Sequence, residues 1–283
     1  MGLVNHNGEL LPSDIPILNI QNRSFRYGDG LFESLRVVDG LVVLLEHHLQ
    51  RLTTGMNVLK MSADPDRGVA FWKEQILRLC EDNRCLDKAR VRLTIYRKDG
   101  GHYEPSNADY GYLIEAESNA TVFSNPELEG LNIGVFDEIL KPINSLGGVK
   151  TANSLIYVLA GVVKDQNSMD DMLILNESGK VAEAISSNIF IVKNGQFSTP
   201  SLDEGCVAGV TRDWLITKMR ANGTTVEETS LSIEDIQLAD EVFVTNAIQG
   251  VRRVQCFGDS SFDDAFVREV YRFKPELDER SSG

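Results

Sequence analysis

The chain has 283 residues, 42% of them hydrophobic and 25% charged, with a formal net charge of −14. That composition belongs to a globular protein long enough for one large domain or two ordinary ones. The acidic balance argues against a nucleic-acid surface, which needs a basic footprint, and against adhesion to an anionic membrane.

In chain order, residues 3–20 alternate short apolar runs around Asn7-Gly8, a hairpin turn signal. Leu45, Leu49, Leu52 and Met56 recur at helical spacing and predict a helix over 45–58. A second helix follows Asp66 through Phe71, Ile76 and Leu79. The period then changes: RVRLTIY at 90–96 puts Val91, Leu93 and Ile95 on one face of a strand and Arg90, Arg92 and Thr94 on the other. From Glu117 to Gly130 the chain turns polar, which marks 118–126 as a linker between domains at 1–117 and 127–283. Beyond it LNIGVF, MLILN, SNIFIV and EVFVT read as strands, with helices over 152–166 and 211–222. Thr211 is positioned to cap the second of these and Asn222-Gly223 to end it. Ser232 and Asp235 signal another helix start. A last helix is expected over 262–273, followed by a frayed DERSSG tail. There is no internal repeat.

No apolar run approaches the roughly 18–20 residues of a spanning helix, and MGLVNHNGEL lacks the basic and apolar regions of a secretory signal. Gly2 is no myristoylation signal, because His6 stands where Ser or Thr is wanted. The expected location is the cytoplasm. Cys80, Cys85, Cys206 and Cys256 form no C-x-x-C pair and read as isolated thiols, and no metal is expected.

The stretch from Lys150 to Thr199 carries the most chemistry. Lys150 opens the helix-like KTANSLIYVLA, and Glu183 opens EAISSNIFIVKNGQFSTP. A Schiff-base enzyme needs an amine to form the bond and a carboxylate to hold the cofactor ring. The amine must be desolvated or set near positive charge, and LIYVLAG is apolar enough to desolvate it. Taken singly, each feature has a plain reading. Lys150 is then a solvated charge, Glu183 an exposed strand end, Gly28-Asp29-Gly30 a surface turn, Thr211 a helix cap, and His48 with Arg51 a solvated helix face.

Together, Gly28-Asp29-Gly30-Leu31-Phe32-Glu33, Lys150, Glu183, Asn188-Ile189-Phe190, Thr199-Pro200 and Gly209-Val210-Thr211-Arg212 resemble the class IV (fold type IV) pyridoxal-phosphate enzymes, in order across residues 20–255. That group includes branched-chain and D-amino-acid aminotransferases and aminodeoxychorismate lyase. The resemblance implies two α/β domains, the smaller N-terminal and the larger built on a barrel-like sheet, with pyridoxal 5'-phosphate at their boundary and a homodimer whose partner adds a loop to the pocket. It implies that Lys150 is the Schiff-base lysine and proton shuttle, and that Glu183 pairs with the pyridine nitrogen to make the ring an electron sink. Phosphate would sit at the helix start Gly209-Val210-Thr211, with Arg51 of an H-x-x-R pattern as its cationic ligand and with contributions from Asn188, Thr245, Asn246 and Ala247. Phe32, Arg97 and Tyr103 would face substrate.

Four features bear on the chemistry. Thr245-Asn246-Ala247 stands where branched-chain enzymes have Gly-Thr-Ala and resembles the lyases. Ser34 falls where lyases carry a threonine thought to assist proton transfer, and Gly100-Gly101-His102-Tyr103 resembles the lyase glycine-rich loop. Arg97 and His102 do not reproduce the Arg-x-His pair of the D-amino-acid enzymes. Transamination between an amino acid of branched-chain type and a 2-oxo acid is the first expectation. Aminodeoxychorismate lyase, releasing pyruvate and 4-aminobenzoate, is close behind, followed by a D-amino-acid aminotransferase and a non-catalytic binder.

Overall fold

The computed structural model describes residues 2–118 and 130–270, in two compact units. The first comprises residues 2–118 together with Val149–Asn153. Its elements are β1 (Leu3–His6), β2 (Glu9–Pro12), α1 (Arg23–Tyr27), β3 (Gly30–Val38), β4 (Leu41–Val42), α2 (Leu45–Val58), α3 (Val69–Asp82), β5 (Lys88–Arg97) and β6 (Tyr110–Ser118). The strands form one sheet in the order β2-β1-β6-β5-β3-β4, antiparallel throughout.

Strict alternation builds the core of this unit. Leu31, Leu35, Val91, Leu93 and Ile95 project from β3 and β5 onto Leu52 and Met56 of α2 and Ile76 and Leu79 of α3. Phe32 and Ser34 fall on the opposite face, where Ser34 stands directly across from Arg92. One polar residue breaks the apolar set: Glu33, between Leu31 and Leu35, is buried. Cys80 and Cys85 are free thiols, as expected, and burial pushes both up.

The second unit covers 130–148 and 154–270. It contains β7 (Leu131–Lys141), α4 (Leu155–Gln166), β8 (Asp171–Asn176), β9 (Val181–Ala184), β10 (Asn188–Lys193), β11 (Gln196–Pro200), α5 (Val210–Ala221), β12 (Val226–Thr229), α6 (Ile233–Gln237), β13 (Glu241–Asn246), β14 (Gly250–Phe257), β15 (Ser260–Ser261) and α7 (Ala265–Val270). Its nine-stranded sheet runs β12-β11-β10-β13-β14-β7-β8-β9, with β15 on β14. The β11/β12, β14/β7 and β7/β8 pairs are parallel. Ile133, Leu173, Ile189, Ile191, Val242, Val244 and Val254 form its main core, and Phe136, Ala160, Met172 and Ile174 a second one under α4.

Several expectations shift. Residues 119–126 of the proposed linker, the end of the last predicted helix and the DERSSG tail lie outside the described residues. Lys150 does not open a helix, since α4 starts at Leu155, and the strip Val149–Asn153 groups with the first unit, not with the larger domain. Thr211 is not a cap. The N-cap of α5 is Gly209, with no side-chain cap bond, and Thr211 lies buried in the first turn. Ser232 and Asp235 form the predicted capping box, and Gly223 takes φ +81° after α5. Among the described residues no helix is long and apolar enough to cross a membrane, and no cluster of His, Cys, Asp and Glu could hold a metal.

Candidate active site

Within the first unit, the lysine strip docks on the beginning of β3. Leu31 and Thr151 form an antiparallel bridge. The Phe32 N–H donates to the Lys150 carbonyl at 3.1 Å, and the Ala152 N–H to the Gly30 carbonyl at 2.8 Å. Gly30 is required here, because a Cβ would fall 2.6 Å from the Ile95 carbonyl oxygen. The side chain is fixed as well: Lys150 Nζ lies 4.4 Å from the Phe32 ring centroid. The Arg92 guanidinium lies 3.9 Å from the same centroid, so one aromatic face system gathers two cations. Ser34 follows Phe32 on this side of β3, partly exposed.

Behind that strand, on its core side, Glu33 organises α2. His48 Nδ1–H donates to Glu33 Oε2 at 2.6 Å, while Arg51 presents Nε to Oε1 at 2.9 Å and Nη2 to Oε2 at 2.5 Å. Burial alone would raise the carboxyl, but Arg51 and His48 outweigh it and hold Glu33 at about 2. Burial pulls His48 down, against the pull of Glu33 in the other direction. Arg51 is therefore an oriented cation, its fork set by a buried carboxylate.

Two sequence-predicted substrate residues fall elsewhere. Arg97 gives Nε to Asp29 at 2.9 Å, Nη1 to the Lys60 carbonyl at 3.3 Å and Nη2 to the Leu59 carbonyl at 2.5 Å. All three nitrogens serve the fold, which makes Arg97 a scaffold clamp in place of a substrate arm. Tyr103 is 90% exposed and packs on Tyr27, with ring centroids 5.6 Å apart. Its loop is tied down by Arg23, whose Nη1 donates to the Gly100, Gly101 and His102 carbonyls.

In the second unit Glu183 lies on β9, 3% exposed. Its Oε1 accepts from Lys141 Nζ and from the Tyr157 hydroxyl at 2.7 Å, and its Oε2 accepts from the Val207 N–H at 2.9 Å. Burial, with the neighbouring carboxylate, pushes the Tyr157 hydroxyl strongly up, so it stays a donor. Gly209 opens α5 beside Asn188, and a Cβ there would sit 1.8 Å from Asn188 Oδ1. Asn188 Nδ2 holds the Val207 carbonyl at 2.9 Å. Asn188 also pairs with Thr245 across β10 and β13, and α5 packs on β13. The Thr245 hydroxyl is buried with no hydrogen-bond partner among the described residues. Asn246 is engaged otherwise: its Oδ1 accepts from the Ile248 and Gln249 N–H groups, closing the turn that contains Ala247, and its Nδ2 donates to Ser187.

These residues suit a phosphorylated, Schiff-base-forming cofactor. The first unit offers an oriented amine at Lys150; the second, taken by itself, offers the first N–H groups of α5 at Val210 and Thr211, an unpaired buried hydroxyl at Thr245 and a donor-lined carboxylate at Glu183. Lys141, Tyr157, the Val207 N–H and Arg92 had escaped the sequence reading. Tyr157 left a trace, because a hydroxyl inside the apolar run LIYVLAG must find a partner when buried. Glu33 left another by standing at an apolar-periodic position.

Each unit is a sheet with helices, the first carrying the lysine strip and the second the buried, hydrogen-bonded carboxylate. The amino-transferase class IV family pattern matches residues 30–256, and the chain belongs to that family. A putative branched-chain-amino-acid aminotransferase of Methanocaldococcus jannaschii is 28% identical over 84% of this chain and 82% of its own. An aminodeoxychorismate lyase of Vibrio harveyi is also 28% identical, over 82% of this chain and 84% of its own. Among solved structures, a hypothetical aminotransferase of Mycobacterium tuberculosis in its PLP-bound form superimposes at a TM-score of 0.83 and 20% identity, covering 98% of this chain and 97% of that one. The fold is fold type IV.

Proposed function

We propose that the protein is a pyridoxal 5'-phosphate-dependent aminotransferase that moves an amino group from an amino acid of branched-chain type to a 2-oxo acid. The observation that carries this reading is the placement of Lys150 and Arg92 on one aromatic ring, Phe32. An amine beside a fixed cation suits substrates that all bear a carboxylate, as both partners of a transamination do. When bound, pyridoxal phosphate supplies an electrophilic carbon and an electron-withdrawing ring. The protein does the rest. Lys150 offers the amine and then carries a proton to and from the substrate α-carbon. Glu183 would accept the ring N–H, and the Val210 and Thr211 N–H groups and the Thr245 hydroxyl would receive the phosphate, for which Arg51 is the proposed cationic ligand. Phe32 walls the reacting centre and holds the lysine in place.

Aminodeoxychorismate lyase is the second reading, favoured by Ser34, which follows Phe32 on the same strand face and is partly exposed. One experiment separates the two. The protein is incubated with an amino-acid panel plus 2-oxoglutarate and, separately, with aminodeoxychorismate, and keto acid is read against aromatic amine and pyruvate. Keto acid formation that is lost in Lys150→Ala is expected. Pyruvate from aminodeoxychorismate, lowered by about 100-fold in Ser34→Ala as expected for a positioned proton-transfer group, would overturn the transaminase reading in favour of the lyase. We propose the same enzyme to be a cytoplasmic homodimer, which sedimentation of the native protein tests.

A further inference from the structure

We propose that Lys141 is a positioning residue for the ring-nitrogen carboxylate: its buried ammonium pins one oxygen of Glu183 and biases the shared proton away from the carboxylate and onto the cofactor ring. This rests on the proposed role of Glu183 and extends it.

Lys141 closes β7 in an unusual way. Its neighbours Ile139 and Leu140 are exposed at 43% and 42%, whereas Lys141 is 6% exposed. Burying an ammonium while leaving two aliphatic residues in water costs free energy that a specific contact must offset. The contacts are the Gly147 carbonyl at 3.2 Å and Glu183 Oε1. The Tyr157 ring also faces the ammonium, 5.5 Å from Nζ to centroid, while its hydroxyl donates to the same Oε1. Two donors thus occupy Oε1, and Oε2 receives one from the described residues, the Val207 N–H. The carboxylate is locked in one rotamer with Oε2 as its less crowded acceptor.

Charge adds to this geometry. A tyrosine or backbone donor would fix the carboxylate equally well without altering its charge balance. A cation touching Oε1 is closer to Glu183 than to any group bound through Oε2, so it penalises a proton on the carboxylate more than one on that group. The other groups in the cluster are neutral: Tyr157 keeps its proton, and burial with the Glu183 charge pushes the Cys206 thiol up to about 11. Lys141 is therefore the cation in contact with Glu183 among the described residues.

The test loads the protein with pyridoxal phosphate labelled with ¹⁵N in the ring and reads the ring-nitrogen resonance near neutral pH. Wild type is expected at the protonated position and Glu183→Gln at the unprotonated one. Lys141→Met is expected to move toward Glu183→Gln, whereas Lys141→Arg stays with wild type. Should Lys141→Met fail to fold, Lys141→Gln keeps N–H donors for Glu183 and Gly147 without the charge and is expected to shift likewise. A neutral variant that binds the cofactor and retains the wild-type resonance overturns the inference. If Glu183→Gln also leaves the resonance in place, the role of Glu183 itself fails.

Discussion

Removing the charge of Glu33 tests whether the buried cluster under β3 is an electrostatic unit. In Glu33→Gln the amide keeps the size of the side chain but can accept fewer bonds and offers no charge to Arg51. The carboxyl is held at about 2 against an ordinary 4.5, which corresponds to about 3 kcal/mol of stability when ionised. The sign follows from the depressed value. The folded protein binds this proton less readily than the unfolded chain, so the contribution is complete above about pH 4.5 and disappears as pH falls to about 2. His48 acts in the same direction, since burial lowers its proton affinity and stability falls on acidification below its ordinary 6.5. Urea unfolding followed across this range should show Glu33→Gln about 3 kcal/mol less stable near neutrality. The gap should close toward acid, where wild-type Glu33 is itself uncharged. A gap that stays constant down to about pH 2 would refute the electrostatic account and assign the loss to packing.

Two further perturbations probe the second unit. Asp171 is pushed up to about 6 from 3.8, chiefly by burial, so its folded-state contribution is lost as pH rises through that window. Asp171→Asn should be more stable than wild type by up to about 3 kcal/mol near pH 8 and equal to it below about pH 4, as read by urea midpoints. The buried carboxylate of Glu241 accepts the Phe266 and Val267 N–H groups, both at 2.8 Å, and thereby caps α7. Glu241→Ala should cost about 1 kcal/mol and accelerate amide exchange at these two positions, and unchanged exchange there would contradict the capping role.

Where chemistry repeats along the chain, it was readable. The alternation of Val91, Leu93 and Ile95 with Arg90, Arg92 and Thr94 is the alternation of β5 between core and the Phe32 face. The spacing of Leu45, Leu49, Leu52 and Met56 is α2. Motif order likewise pointed to the family. What stayed hidden depends on pairing between distant segments. Nothing local in KTANSL announces that these residues abandon helix for a bridge to Leu31, because the partner lies in another part of the chain. Spacing could not reveal that Arg97 already spends its nitrogens on Asp29, Leu59 and Lys60. Nor does the string ILKP show that the lysine is buried and its aliphatic neighbours are not. Periodicity reports on faces; it is silent about which polar partners meet once the faces are packed.

The strip that carries Lys150 has a consequence for the order in which the protein becomes competent. Synthesis proceeds from the N-terminus, so all six strands of the first sheet, including the β3 segment that receives Leu31–Thr151 pairing, leave the ribosome before the lysine does. A nascent chain can thus complete that sheet while remaining chemically mute. The amine arrives late, as a small docking segment whose flanks, ending at Gly148 and resuming at Ser154, belong to the other unit. It reaches its place on β3 only by a long-range closure, the slowest kind of contact to form.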